Sequence, residues 1–184
     1  MSVSLTAQEQ ATLLEVAREA ISARLARRPA VYPRVPASLE EMHGAFVTLK
    51  IRGNLRGCIG HIAACRPLVE TVKEAAASSA FGDPRFPALT AAEWPRVSIE
   101  ISVLSPFIPA ADPSCVQTGV HGVMIRSGYH SGLLLPQVAT EHGWDREAFL
   151  DHACRKAGLE PEAWRGPGVT IETFTATVFH EAQE

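Results

Sequence analysis

Arg56 and Cys58 stand two residues apart in NLRGCIGHIAACRP (residues 54–67), with Gly57 between them and Gly60 just beyond. A thiol attacks as the thiolate, and a neighbouring guanidinium favours that form. The Gly57–Gly60 segment predicts a turn whose main-chain N–H groups would nest an anion or oxyanion. A histidine, His61 or His121, would serve as base. Arg56 would equally hold a substrate carboxylate through its planar fork. A packing role accounts for the same residues, because cysteine is among the most buried residue types and glycine admits close backbone contacts. Cys65 is a second thiol to weigh. It comes just before Pro67, where the N-terminus of a following helix would lower a thiol pKa.

The strand pleat adds members to this set. In AFVTLK, Val47 and Leu49 alternate with Thr48 and Lys50. In NLRGCIG, Leu55 and Ile59 alternate with Arg56 and Cys58. In VSIEIS, the aliphatic residues alternate with Glu100 and Ser102. If the aliphatic sets face helices, then Thr48, Arg56, Cys58, Glu100 and Ser102 share the opposite face. Asp83, Arg85 and Phe86 in FGDPRFPAL sit on a proline-bracketed loop. They would line a pocket, or Asp83 and Arg85 would pair to brace a turn. His121 precedes Gly122 at the start of a strand, as a pocket histidine would, although a lone histidine commonly has a structural role.

These residues need elements to hold them. Residues 6–27 read as a helix, with Thr6 and Glu9 as a capping box and Leu14, Ala17, Ile21 and Leu25 at helical spacing. AFVTLKIRGNLRGCIG reads as a hairpin joined through Gly53-Asn54. Pro67 opens a second helix, which stops before DPRFPAL. VSIEISVLSP is the cleanest strand. After the loop PFIPAADPSC comes a hairpin turning near Ser127-Gly128, then a short helix from about Pro136. Asp145 caps a helix over 146–157 that ends at Gly158. VTIETFTATVF closes the chain as one long strand. Strands and helices do not alternate as β-α-β units, so the fold class is α+β with a largely antiparallel sheet flanked by helices.

The 184 residues suffice for one sizeable core, and 46% hydrophobic against 20% charged is a soluble globular balance. No apolar run reaches the length of a membrane span, and MSVSLTAQEQ lacks a signal-peptide pattern, so a cytoplasmic protein is expected. A net charge of −3 argues against nucleic-acid binding, which rests on neutralising phosphates. The local run Arg18, Arg24, Arg27, Arg28 and Arg34 reads as a solvated helix face. The four cysteines (Cys58, Cys65, Cys115, Cys154) form no disulfide framework and no CxxC pair. Cys58, His61 and Cys65 lack a fourth ligand, so no metal is expected. Trp94, Trp144 and Trp164 read as packing residues. No phosphate loop, dinucleotide fingerprint or serine elbow occurs, and no cofactor is named.

The ordered blocks FVTLK, LRGCIG, PL, DPRFP, IEISVLSP, HG, LLLPQVA, WDREAFL, KAGL and AW resemble the AMMECR-type domain, from about Ala45 to Phe179. Its bacterial and archaeal members are often labelled AmmeMemoSam system protein A. The resemblance implies an α+β unit with a larger and a smaller subdomain that form a cleft, against which LRGCIG lies. It gives one AMMECR-like domain over 1–184, with no subdomain boundary legible, and treats the segment Met1 to Val35 as outside the strong match. The family's positions fall here on Leu55, Arg56, Gly57, Cys58, Ile59 and Gly60, on Asp83 to Pro87, on Glu100, and on His121, Gly122, Pro136 and Gln137. Where the pattern expects a basic residue before GLLLPQ, this chain has Tyr129-His130-Ser131. The resemblance implies no settled activity. It implies company: Memo-type proteins and radical-SAM enzymes, in a pathway modifying a small molecule or a macromolecule.

Two functions follow. One is a cysteine-dependent enzyme or enzyme subunit, with Cys58, His121 and Glu100 catalytic and Arg56, Gly57, Gly60, Thr48, Asp83 and Arg85 binding substrate. The other is a non-catalytic binding or adaptor module using the same cleft.

Overall fold

A computed structural model describes residues 3–181. In chain order the elements are α1 (Ala7–Leu25), β1 (Ala45–Ile51), β2 (Asn54–His61), α2 (Leu68–Phe81), β3 (Val97–Leu104), β4 (Ile108–Pro109), β5 (Gly122–Ser127), β6 (His130–Leu134), α3 (Pro136–His142), α4 (Arg146–Lys156), β7 (Thr170–Phe174) and β8 (Ala176–His180). They form two compact units among the described residues: 4–104 with 177–181, and 105–176 with residue 3. Each contains one sheet, ordered β2-β1-β3-β8 in the first unit and β4-β7-β5-β6 in the second. The pairings of β1 with β2 and β3, and of β5 with β6 and β7, are antiparallel, as the α+β reading expects.

In the first unit the capping box closes α1. Thr6 Oγ1 accepts the Glu9 N–H at 3.2 Å, and the Glu9 carboxylate accepts the Thr6 N–H at 2.7 Å. The helix ends two residues short of the expected 27, and Arg27 takes a left-handed φ of 51° just beyond it. The β1–β2 hairpin turns on Arg52 and Gly53, with φ of 52° and 78°. Two left-handed residues match the natural twist of the strands, so the tip lies one residue before the expected Gly53-Asn54, and Asn54 opens β2.

Val47 and Leu49 of β1, and Val97, Ile99, Ile101 and Val103 of β3, are buried. Helix α2 packs on β1 and β2, and α1 packs on α2 and β3. Burying each such side chain is worth about 1.5–3 kcal/mol, which locks the sheet's register. Of the alternate residues, Thr48, Lys50, Ser98 and Glu100 are only half-buried, whereas Ser102 is buried.

The second unit packs Val123, Ile125, Phe149, Leu150, Trp164 and Ile171 into its core. Asp145 caps α4 by accepting the Ala148 N–H at 2.9 Å, and Gly158 leaves it with φ of 76°. The segment expected as a loop after β3 contains β4, paired with β7.

The single closing strand expected over VTIETFTATVF is two strands, one in each sheet. Thr175 interrupts it. Its N–H donates to Ser105 Oγ and its carbonyl accepts the Ser105 N–H, both at 2.9 Å, so the groups that would continue a ladder are taken. No described helix is long and apolar enough to cross a membrane.

Candidate functional site

Strand β2 lies at the edge of the first sheet, and four side chains from outside the strand hold it. Ser79 of α2 is the first. Its hydroxyl accepts the Ile59 N–H at 2.8 Å and donates to the Val47 carbonyl at 2.7 Å, bridging β2 and β1. A side chain on Gly57 would collide with the Ser79 carbonyl, so glycine is what lets the helix come this close. Asp83 and Arg85 then cover the outer edge at Cys58. Asp83 Oδ2 accepts the Cys58 N–H at 2.9 Å, and Arg85 Nη2 donates to the Cys58 carbonyl at 3.1 Å. Arg85 also binds both Asp83 oxygens, at 3.0 and 2.7 Å. Hydrogen bonding from Arg85, foremost, holds the buried Asp83 carboxyl well below the usual carboxylate range, and the Cys58 and Arg85 N–H groups add to it.

Glu93 is the fourth. The β1–β2 register shifts so that Leu49 faces Gly57 while Lys50 faces Leu55, which leaves Arg56 as the extra residue of a bulge. The Arg56 guanidinium meets Glu93 at 2.8 and 3.2 Å and the Pro87 carbonyl at 3.0 Å. Its side chain is 11% exposed. The hydrogen bond from Arg56, first, draws the Glu93 pKa down to about 2.

On the sheet face away from the helices, the register sets Cys58, Thr48 and Glu100 in one row across β2, β1 and β3. Thr48 Oγ1 donates to Cys58 Sγ at 3.2 Å. Lys50, two residues along β1, pairs with Glu100 at 2.9 Å. The pair lines a hollow of about 110 Å³ with Ser98, Ile99, His180 and Glu181. Glu181 is held by Arg18 and accepts the Ile99 N–H at 2.9 Å.

The structure therefore brings Thr48, Cys58 and Glu100 together. Several details depart from expectation. Gly57–Gly60 is continuous strand, not an anion-holding turn, and the N–H groups of Cys58 and Ile59 are taken by Asp83 and Ser79. The bulge re-aims Arg56 onto Glu93, and Arg85 is the guanidinium that reaches Cys58, at its carbonyl. Asp83 and Arg85 brace the strand edge. His61 has the opposite pleat parity from Cys58 and approaches Glu74 of α2 at 3.5 Å. Gly60 is overlain by the Phe46 ring. Cys65 is exposed.

His121 belongs to the second unit, where its Nδ1 accepts the Gln117 N–H at 3.2 Å. In the same unit, at the divergent Tyr129-His130-Ser131, His130 Nδ1 lies 3.2 Å from the Ala157 carbonyl and Tyr129 is exposed. No group of three metal-ligating side chains occurs among the described residues.

Sequence reasoning missed Lys50, Ser79, Ser98, Glu93 and His180 as members of this region. Lys50 shares the phase of Thr48 and was open to the same pleat argument. Ser79 falls on the buried stripe of α2 with Val72, Ala75 and Ala76, where a polar residue signals a tertiary hydrogen bond. Glu93 has no local signal.

The chain is similar to known proteins over nearly its whole length. A protein of Methanothermobacter thermautotrophicus is 43% identical over 187 residues, covering 96% of both chains. A protein of Methanopyrus kandleri is 43% identical over 193 residues, covering all of this chain and 93% of its own. The crystal structure of an uncharacterized protein from Pyrococcus horikoshii superposes with a TM-score of 0.86 at 39% identity, over 92% of this chain and 89% of that one. The AMMECR1 family model matches residues 14–179, taking in most of α1, which the sequence blocks alone placed outside the match. The β2 strand, its edge clamp and the polar sheet face described above are therefore those of a member of the AMMECR1 family.

Proposed function

We propose that this chain is a binding module that seats a small ligand on the polar face of its first sheet, in the hollow lined by Ser98 and Glu100, with Lys50 as charged anchor. One observation carries the reading. The Arg56 side chain and the main-chain groups of Cys58 are engaged in holding β2, whereas the Lys50–Glu100 pair lines a hollow. Partly buried charges converging on a concavity are a recognised feature of ligand sites. The companions implied by the resemblance, Memo-type and radical-SAM proteins in a modification pathway, would supply or consume that ligand.

Native mass spectrometry of the protein purified from its own host tests this. Wild type and Cys58→Ala retain a small molecule, and Glu100→Gln or Lys50→Met loses it while still folding. An equal ligand load in all four proteins would overturn the reading.

A second reading, a cysteine-dependent enzyme, is favoured by the Thr48 hydroxyl, which donates to Cys58 Sγ. It requires Cys58 in the native protein to take up one equivalent of iodoacetamide near neutral pH, with that uptake lost in Cys58→Ser. Labelling of Cys58 only after denaturation would remove it.

A further inference from the structure

We infer that the hollow beside Lys50 takes a small zwitterion of the α-amino-acid type, its carboxylate on Lys50 and its ammonium on Glu100. This rests on the binding-module reading above and names the class of ligand.

The argument is one of charge complementarity. Lys50 Nζ and Glu100 Oε2 are 2.9 Å apart, with side chains 34% and 20% exposed, so both charges are presented to an incoming molecule. A lone anion drawn to Lys50 would meet the carboxylate of Glu100 in the same hollow. A lone cation drawn to Glu100 would meet Lys50. A molecule carrying both charges on adjacent carbons lies head-to-tail against the pair, so that each charge faces its opposite and no net charge is buried. Glu181 does not compete for the ammonium, because Arg18 and the Ile99 N–H already hold it. The Ser98 hydroxyl and the exposed His180 imidazole lie on the rim as further hydrogen-bonding groups.

Size sets the second limit. The hollow holds about 110 Å³. Drug-sized ligands fill about 300–1,000 Å³, and an enclosed cavity of about 150 Å³ accepts benzene. A free amino acid with a short side chain, or the amino-acid end of a larger metabolite, is of the right order.

The test is amide-shift NMR on the full chain with glycine, L-alanine, acetate, methylamine and γ-aminobutyrate as probes, each to about 10 mM, above the millimolar Kd range of weak fragments. Glycine and L-alanine move the amides of Lys50, Ser98 and Glu100 saturably. Acetate, methylamine and γ-aminobutyrate act at least tenfold more weakly. Lys50→Met and Glu100→Gln each weaken L-alanine binding at least tenfold, while Lys50→Arg retains it and shows that the fold is intact.

Acetate acting as strongly as L-alanine would make this a plain anion site and overturn the inference. Silence from both amino acids overturns it too. If a host-derived ligand is nonetheless retained by wild type and lost in Glu100→Gln, only the ligand class fails. If that retention is also independent of Glu100, the binding-module reading fails with it.

Discussion

Asp83 holds the main-chain N–H of Cys58 at 2.9 Å, and so closes the open edge of strand β2. An exposed strand edge invites pairing with other chains, and a buried carboxylate placed there is one means of blocking it. Asp83→Ala leaves the Cys58 N–H unpaired and removes the anchor of Arg85, and an unsatisfied buried donor costs about 1–3 kcal/mol. Chemical denaturation of the variant should show a loss of that size. Size-exclusion chromatography should show more self-association than in wild type.

The same carboxylate sets an acid limb. Its pKa is lowered in the folded state, so its contribution is complete above the unfolded aspartate value of about 4 and is lost as pH falls below it. Glu93, drawn down to about 2, acts in the same direction over the window from about 4 to about 2. Stability measured from pH 6 to pH 2 should fall in wild type, and the fall should be shallower in Asp83→Asn and in Glu93→Gln. Parallel curves would show that neither group couples folding to pH.

Gly57→Ala places a methyl group against the Ser79 carbonyl of α2. Either the helix or the strand must shift, at a cost of about 1–3 kcal/mol or more. Gly53→Ala meets no neighbour but must hold a φ of 78°. Its cost is limited to the left-handed backbone, roughly 1–2 kcal/mol. Thermal denaturation of the two variants should rank Gly57→Ala as the more damaging.

Ser79→Ala removes the hydroxyl between Ile59 and Val47. Two main-chain groups lose their partner, at about 1–3 kcal/mol. Hydrogen exchange should speed up at the Ile59 amide more than at amides of β5 in the second unit. Uniform acceleration would mean global destabilisation rather than a local opening.

Thiol reactivity should follow burial. Cys65 and Cys115 are exposed, while Cys154 is buried and burial, its first cause, pushes its pKa up. In native protein a disulfide reagent should modify Cys65 and Cys115 first, and reach Cys154 only after denaturant is added.

Much of the architecture was legible in order and kind. The capping box of Thr6 and Glu9, Asp145 before α4 and Gly158 after it are local devices, and they lie where their types imply. The alternation of β1 and β3 likewise announces which side is buried. Local signals could not show that VTIETFTATVF is divided at Thr175, because the groups that stop the ladder come from Ser105, seventy residues earlier. Nor could pleat parity anticipate the bulge at Arg56, since it arises from β1 and β2 pairing out of step.

The amino-acid order thus determined the element types, the α+β class and the polar phase shared by Thr48, Cys58 and Glu100, because hydrophobic periodicity and capping act within a few residues. Tertiary structure alone decided which guanidinium serves the edge and that Lys50 meets Glu100 over a hollow. Those outcomes depend on strand register and on side chains reaching across from α2, the Asp83 loop, Glu93 and the C-terminal segment. Distances between such segments are set by packing the whole core, and no short stretch of sequence contains them.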